Sequence, residues 1–403
     1  MPLNPESSPY YTYSVKVSEA SWPRFTGSVV LPTPSSDSND YKLSIAYRRY
    51  ETTQSSKKIG NKRPINLVFM HGNGMNKGLW HYHIDKIYSH YQDSLNDSYI
   101  NVVLALDNAN ENDSAYINSN KLGPVYHWID GTKDIIAVIK NNEARTFSQQ
   151  NTINIIIGHS MGGFQSLMAS IIEPNLFHAA ILINPVLYQT EEYMAACQIL
   201  YNKWIKHRRV VSQFKFDGPN KNWKKDVEQW FKTKSFFKNF HPQVLSNMID
   251  DATPPRYDPN QAYDEINLKH PATQEYLTYF WGVDSVWQSM DKYKFAKVPI
   301  YHISTENDLA PPDHVKLTRE LLKNVVIPID VPKFYHSANA EQPDWALGVI
   351  YNSIDDVLAK SPGHIINDFK YKDILGKDYK DKLYQETFKN FIGDDFNQLK
   401  SLL

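Results

Sequence analysis

Short, mostly apolar runs constrain the fold of this chain more than any other feature of its sequence. Four such runs, bounded by glycine, asparagine, aspartate or proline, occupy residues 65–70, 102–106, 153–157 and 179–183. Strands buried on both faces have this composition, whereas strands with one solvent face alternate apolar and polar residues. Residues 129–144 and 161–172 instead repeat apolar positions every three or four residues, as amphipathic helices do. The two patterns in alternation predict a mostly parallel sheet with helices on both faces.

The alternation predicts how the chain is divided. It stops at residue 186 and resumes with strands at 299–304 and 325–329, followed by a helix at 343–358. Residues 186–297, which lie between, are rich in tryptophan, phenylalanine, tyrosine and lysine and predict an inserted helical cap. We therefore predict four parts, which are the first part of the core at 1–185, the cap at 186–297, the second part of the core at 298–360 and a helical tail at 361–403.

Charge and composition exclude several classes of partner. Lysine plus arginine (43) nearly balances aspartate plus glutamate (44), so no basic excess is present to attract nucleic acid. The apolar runs are far shorter than the ~20 residues of a membrane-spanning helix, which leaves only peripheral membrane contact open. Cys197 is the single cysteine, so no intramolecular disulfide is possible. The first residues lack a basic region followed by an apolar run, and we expect an intracellular, soluble protein.

A short glycine-rich segment predicts a nucleophilic serine. Residues 158–163 read Gly-His-Ser-Met-Gly-Gly and lie between a predicted strand and a predicted helix. A tight strand-to-helix turn exposes a serine oxygen, and glycines are needed where a Cβ would collide with the backbone. We predict Ser160 as the nucleophile.

Serine is a poor nucleophile at neutral pH and needs a base that an acid orients, in the chain order serine, acid, histidine for this type of turn. Asp308 follows the predicted strand 299–304 and is our predicted acid, with Glu306 as the near alternative and Asp330 as a weaker one. His336 lies in the segment after the next predicted strand and is our predicted base.

Two backbone N–H groups are expected to hold the negative oxygen that forms during acyl transfer. One belongs to Met161, because the residue after the nucleophile starts a helix. The other should come from the His-Gly-Asn-Gly-Met loop at 71–75, where we assign Asn73 with Gly74 as the alternative. His71 and His159 stand beside glycines in tight loops, and we assign them structural hydrogen bonds.

Together these residues predict an α/β-hydrolase fold and a serine carboxylesterase or lipase. The aromatic cap favours a small hydrophobic acyl-ester substrate, and neither a metal nor an organic cofactor is implied. A thioesterase or another serine enzyme of this fold remains an alternative. A further alternative is a hydrolase-fold protein that only binds a ligand or partner.

The chain resembles the yeast peroxisomal lipases of the α/β-hydrolase superfamily along nearly its whole length. The resemblance rests on motifs at residues 21–24, 66–75, 107–114, 128–131, 157–165, 174–178 and 235–237. It implies a soluble peroxisomal enzyme that acts on acyl esters, with Ser160 and His336 at the family's nucleophile and histidine.

Two positions depart from that pattern. Glu111-Asn112 stands where these lipases have His-Gly, so we expect the loop there to fold differently. The chain ends Ser401-Leu402-Leu403, whereas the family's peroxisomal signal is a small residue, a basic residue and leucine. We therefore expect a peroxisomal protein by resemblance and a cytoplasmic one otherwise.

Overall fold

The computed structural model describes residues 8–30, 42–54, 59–93, 97–190 and 212–360. The predicted helical tail at 361–403, Cys197 and the C-terminal tripeptide lie outside these ranges.

A mostly parallel sheet of eight strands forms the centre of the described part of the chain. Ten strands are described, eight in this sheet and two in a separate pair. In chain order they are β1 (Tyr11–Glu19), β2 (Ser44–Thr52), β3 (Arg63–Met70), β4 (Ser98–Leu106), β5 (Ile153–His159), β6 (Ala179–Ile183), β7 (Gln213–Asn220), β8 (Tyr263–Asn267), β9 (Ile300–Asn307) and β10 (Val326–Tyr335). The sheet order is β1-β2-β4-β3-β5-β6-β9-β10, and β7 pairs with β8 separately. β1 and β2 run antiparallel to their neighbours, and the pairs from β4 to β10 are parallel. The predicted α/β-hydrolase sheet is confirmed.

Helices follow most strands. They are α1 (His81–Asp93), α2 (Asn112–Ile117), α3 (Trp128–Val138), α4 (Ala144–Phe147), α5 (Met161–Ile172), α6 (Trp223–Lys234), α7 (Pro242–Ala252), α8 (Ala272–Trp287), α9 (Pro312–Leu321), α10 (Ala338–Glu341) and α11 (Pro343–Lys360). A π-helical stretch, Ile139–Glu143, joins α3 to α4, and 3-10 turns occupy Lys77–Trp80, Phe236–Asn239 and Met290–Phe295. Among these described helices, none is long and apolar enough to cross a membrane.

Alternate side chains of the central strands point to opposite faces, and each face has its own core. Leu67 and Phe69 of β3 belong to the core that contains α1 and α11 residues, whereas Val68 and Met70 belong to the core that contains α3 and α5 residues. All four are at most 1% exposed. Burying a side chain of this size contributes about 1.5–3 kcal/mol, so covering both faces explains why these strands are continuous apolar runs.

The structure differs from the sequence prediction in the strands that lack such runs. β1 is an edge strand whose middle residues face solvent, so its sequence carries no apolar run. The segment 186–297, hereafter the inserted segment, was expected to be helical, yet it also contains the antiparallel pair β7 and β8. These strands are mostly exposed or half-buried and therefore carry a weak hydrophobic pattern. β10 extends to Tyr335, six residues beyond the end of the strand predicted at 325–329.

A buried group of charges joins the inserted segment to the sheet. Lys77, which is fully buried, donates to Asp107 at 2.7 Å, to Asp113 at 2.5 Å and to Asp251 at 3.0 Å. Arg48 of β2 donates to the second oxygen of Asp251 at 2.7 Å. These five residues, hereafter the Lys77 cluster, connect α7 of the inserted segment to β2, to the end of β4 and to the turn after β3. The carboxylate of Asp251 is therefore held by two buried cations.

We expect Asp251→Ala to lower the free energy of unfolding by about 3–5 kcal/mol, because it leaves the Arg48 and Lys77 charges buried with fewer partners. Urea unfolding followed by fluorescence measures the change. The matched control is Asp330→Ala, which breaks the ion pair with Arg319 at 2.7 Å, where the Asp330 side chain is 72% exposed. An exposed pair contributes at most about 1 kcal/mol. Equal losses in the two variants would show that the Lys77 cluster does not anchor α7.

Candidate active site

Ser160 occupies a strained turn between β5 and α5. Its backbone has φ 55° and ψ −119°, a conformation that residues other than glycine rarely adopt and that costs about 1–3 kcal/mol. The neighbouring glycines permit the turn. A Cβ at Gly158 would lie 2.1 Å from the carbonyl oxygen of Gly162, and a Cβ at Gly162 would lie 2.4 Å from that of Met70. The turn therefore projects the serine side chain from the carboxyl edge of the sheet.

The structure brings the three residues that we predicted as nucleophile, base and acid into one hydrogen-bonded row. The Oγ of Ser160 lies 2.9 Å from Nε2 of His336, and Nδ1 of His336 lies 2.5 Å from Oδ1 of Asp308. The side chains of His336 and Asp308 are 10% and 4% exposed. Because Nδ1 faces a carboxylate, we assign the imidazole proton to Nδ1, which leaves Nε2 able to accept the serine proton.

The two alternative acids lie elsewhere. Glu306 is exposed, and its Oε2 accepts a hydrogen bond from the backbone N–H of Lys333 at 2.8 Å. Asp330 pairs with Arg319 at 2.7 Å. Within the described part of the chain, neither carboxylate bonds to His336.

Two buried side chains hold the backbone of His336 in place. Nε2 of His159 lies 2.9 Å from the His336 carbonyl oxygen, and Nδ2 of Asn184 donates to the same oxygen at 2.8 Å. Burial lowers the pKa of His159 far below its usual range, so its ring is neutral and is suited to this single bond. Asn184 also accepts from the Thr305 N–H at 2.9 Å, which connects the strand before Asp308 to the segment that carries His336.

Sequence reasoning assigned His159 a structural hydrogen bond but did not single out Asn184. The available signal was its position directly after β6, at the carboxyl edge of the sheet.

The loop after β3 lies against the nucleophile. A Cβ at Gly72 would stand 3.2 Å from the Cβ of Ser160, so this part of the loop lies beside the nucleophile. Among the described residues, neither the Asn73 N–H nor the Met161 N–H donates a hydrogen bond, whereas the Gly74 N–H donates to Glu111 at 2.7 Å. Gly74 is thus occupied, while Asn73 and Met161 have free donors.

A cavity with mostly apolar walls opens beside this loop. It is lined by Gly74, Met75, Asn76, Trp230, Phe231, Ser235, Phe236, Phe237, Met248, Ile249, Ala252, Leu268, His270 and Glu275. Most of these residues belong to the inserted segment. Several other aromatic residues of that segment, including Trp223 and Trp281, are at most 1% exposed and pack within cores. The aromatic residues therefore divide between core packing and a cavity wall.

Comparisons with known proteins agree with the fold. A model described as "Alpha/beta hydrolase family" matches residues 67–350. The peroxisomal membrane protein LPX1 of Saccharomyces cerevisiae is 28% identical over 357 residues, which are 86% of this chain and 88% of that protein. A crystal structure titled peroxisomal alpha-beta-hydrolase Lpx1, from the same yeast, has a TM-score of 0.72 at 25% identity and covers 95% of this chain and 98% of that one. The structure of an E-2-(acetamidomethylene)succinate hydrolase has a TM-score of 0.53 at 17% identity, covers 77% of this chain and 96% of its own, and shares the fold.

Proposed function

Because this chain belongs to the alpha/beta hydrolase family, we propose that it is a serine carboxylesterase or lipase that cleaves acyl esters of hydrophobic substrates. The observation that carries the proposal is the hydrogen-bonded row of Ser160, His336 and Asp308, with distances of 2.9 Å and 2.5 Å. A binding protein of this fold has no need for a serine, an imidazole and a carboxylate in this order.

In the proposed reaction, Oγ of Ser160 attacks the ester carbonyl carbon while Nε2 of His336 takes the serine proton. The oxygen that becomes negative accepts hydrogen bonds from the N–H groups of Asn73 and Met161. The imidazolium then gives its proton to the leaving alkoxide, the C–O bond breaks, and an acyl-enzyme remains. Water attacks the acyl-enzyme with His336 again as the base, which releases the acid and restores Ser160. The carboxylate of Asp308 stabilises the imidazolium in both halves of the reaction.

A fluorophosphonate probe tests the serine mechanism directly, because it forms a covalent bond only with an activated serine. We expect one label per chain, at Ser160, and loss of labelling when an ester substrate competes. Mass spectrometry of the digested protein locates the label. Absence of labelling, or labelling that His336→Ala leaves unchanged, would favour a protein that only binds ligands.

The cavity that the inserted segment lines supports the proposal of a hydrophobic substrate. We propose that it forms a cap and that the acyl chain lies in the cavity between α6, α7 and the loop after β3, since that loop contacts Ser160 at Gly72. Each methylene that leaves water contributes ~0.8 kcal/mol to binding. The selectivity among acyl esters should therefore follow chain length until the cavity is full.

We expect kcat/KM for 4-nitrophenyl esters to rise by up to about fourfold per added methylene and then level off, with acetate a poor substrate. Steady-state rates across even-numbered acyl chains measure this dependence. Ala252→Leu, which adds bulk to the cavity wall, should move the best substrate to a shorter chain. The control is Trp287→Ala, because Trp287 is 42% exposed and lies outside the cavity lining.

A flat dependence on chain length, or a preference for acetate, would instead indicate a small-ester hydrolase. In that case the aromatic residues would serve only the packing of the inserted segment.

We also propose a peroxisomal location, supported by the similarity to the peroxisomal membrane protein LPX1 of Saccharomyces cerevisiae. A fusion with a fluorescent protein at the N-terminus would test this proposal, because it leaves Ser401-Leu402-Leu403 unblocked. Diffuse fluorescence outside peroxisomes would contradict it.

A further inference from the structure

Glu111 is a fully buried carboxylate that the proposed reaction does not use. It is the residue that precedes α2, a position from which short polar side chains such as aspartate commonly accept hydrogen bonds from the first turn of their own helix. The side chain of Glu111 makes no such bond. Its two oxygens instead accept from the Gly74 N–H at 2.7 Å and from Nδ2 of Asn108 at 2.9 Å. The carboxylate is therefore directed toward the loop after β3.

The hydrogen bond to Gly74 restrains the part of the loop that faces the nucleophile. Gly74 has φ 76°, a conformation that favours glycine, and its N–H is one peptide unit away from that of Asn73. On the opposite side, Nδ2 of Asn73 donates to the carbonyl oxygen of Glu275 at 3.1 Å. Glu111 and Glu275 thus hold adjacent residues of the loop from the core side and from the inserted segment.

The same carboxylate connects this loop to the helix after the nucleophile. Oδ1 of Asn108 accepts from Nε2 of Gln165 at 2.8 Å and from the hydroxyl of Tyr126 at 2.7 Å. Gln165 lies one turn after Met161 on α5. A continuous path of hydrogen bonds therefore runs from Gly74 through Glu111 and Asn108 to α5.

We propose that Glu111 is a positioning residue that sets the distance between the Asn73 and Met161 N–H groups and so assembles the site for the negative oxygen. The inference rests on the proposed serine-hydrolase function and deepens it. Burial raises the pKa of Glu111 to about 7, because the charged form of the side chain loses its contact with water at this position. The charged carboxylate is therefore costly here. Two hydrogen-bond donors compensate part of that cost, and one of them belongs to the loop.

The test compares Glu111→Ala with Glu111→Gln. We expect Glu111→Ala to lower kcat by about 10- to 100-fold and to change KM by less than about twofold, because the positions of the Asn73 and Met161 N–H groups matter mainly in the transition state. The expected loss is smaller than the loss of about 10²–10³ in kcat that follows removal of a whole donor. Glu111→Gln keeps one oxygen for the Gly74 N–H but turns an amide N–H₂ toward Asn108, so its kcat should fall between those of wild type and Glu111→Ala.

An alkyl boronic acid gives a second readout. It forms a tetrahedral adduct with an active serine and places a negative oxygen where the reaction does, so its Ki should rise by the same factor as kcat falls. Glu143→Ala is the matched control, because Glu143 is also buried and accepts from Arg49 at 2.9 Å and Tyr47 at 3.1 Å in another part of the fold. We expect this control to lower the melting temperature and to leave kcat and Ki unchanged.

The possible outcomes separate the two proposals. If wild type neither reacts with a fluorophosphonate nor hydrolyses esters, the proposed function fails. If wild type is active and Glu111→Ala keeps its kcat within about twofold, or if Glu143→Ala lowers kcat equally, the positioning role of Glu111 is overturned. Should Glu111→Ala not fold, Glu111→Gln decides, and wild-type kcat and Ki in that variant would overturn the proposal.

Discussion

Replacing Ser160 with alanine is expected to lower kcat for ester hydrolysis by about 10⁶-fold, the loss seen when other serine hydrolases lose their nucleophile. The expected loss is this large because no acyl-enzyme can form without the hydroxyl. Stability should change by less than about 1 kcal/mol, since the hydroxyl bonds to His336 and contributes little to the core. Initial rates and a thermal melt measure the two quantities.

Ser170→Ala is the matched control, because Ser170 is a buried serine of the helix that follows Ser160, and its hydroxyl bonds to the carbonyl oxygen of Leu167 at 2.7 Å. It should keep its activity within about twofold, as changes away from a site usually do. His336→Ala should be as damaging as Ser160→Ala, and the double variant should be little worse than either, because the residues act as a unit. Additive losses, or substantial activity in Ser160→Ala, would exclude the serine mechanism.

The second large effect is expected for Asp308→Asn, which should lower kcat by about 10⁴-fold. The amide N–H₂ would donate to Nδ1 of His336, so the ring proton would move to Nε2. An Nε2 that carries a proton cannot accept the proton of Ser160. Initial rates measured over a range of concentrations of one activated ester give kcat for this variant.

Glu306→Gln removes one negative charge two residues away and serves as the control for Asp308→Asn. Its side-chain oxygen would still accept from the Lys333 N–H, and we expect kcat within about twofold of wild type. A 10⁴-fold loss in Glu306→Gln with an active Asp308→Asn would show that the acid is Glu306.

The centre of the fold was predictable because its pattern is local. β3, β5 and β6 are apolar over nearly their full length, since both faces of the sheet are covered, and the turn around Ser160 carries glycines that no other residue type replaces. β1 lies at an edge and β7 and β8 lie outside the main sheet, so their side chains face solvent too often to give a run. A strand that is buried on both faces can therefore be predicted from its apolar run, whereas a strand that faces solvent gives a weaker pattern.

The candidate site likewise contains residues that the sequence predicts and residues that only the structure reveals. The positions of Ser160, Asp308 and His336 at strand ends follow from chain order, and their roles stay predictions until activity is measured. Glu111 and Asn184 make hydrogen bonds to residues distant in sequence, and a single asparagine or glutamate in a loop gives no local signal of its partner. Glu111 was noticed only as a departure from a family pattern, and its bond to Gly74 came from the structure.

The Lys77 cluster also bears on how substrate reaches the site. To swing α7 away from the sheet, the protein would have to separate Asp251 from the buried cations Lys77 and Arg48. This wall of the cavity is thus fixed to the sheet by buried charges as well as by apolar packing. We expect the hydrolysis of dissolved esters to proceed with α7 in this position.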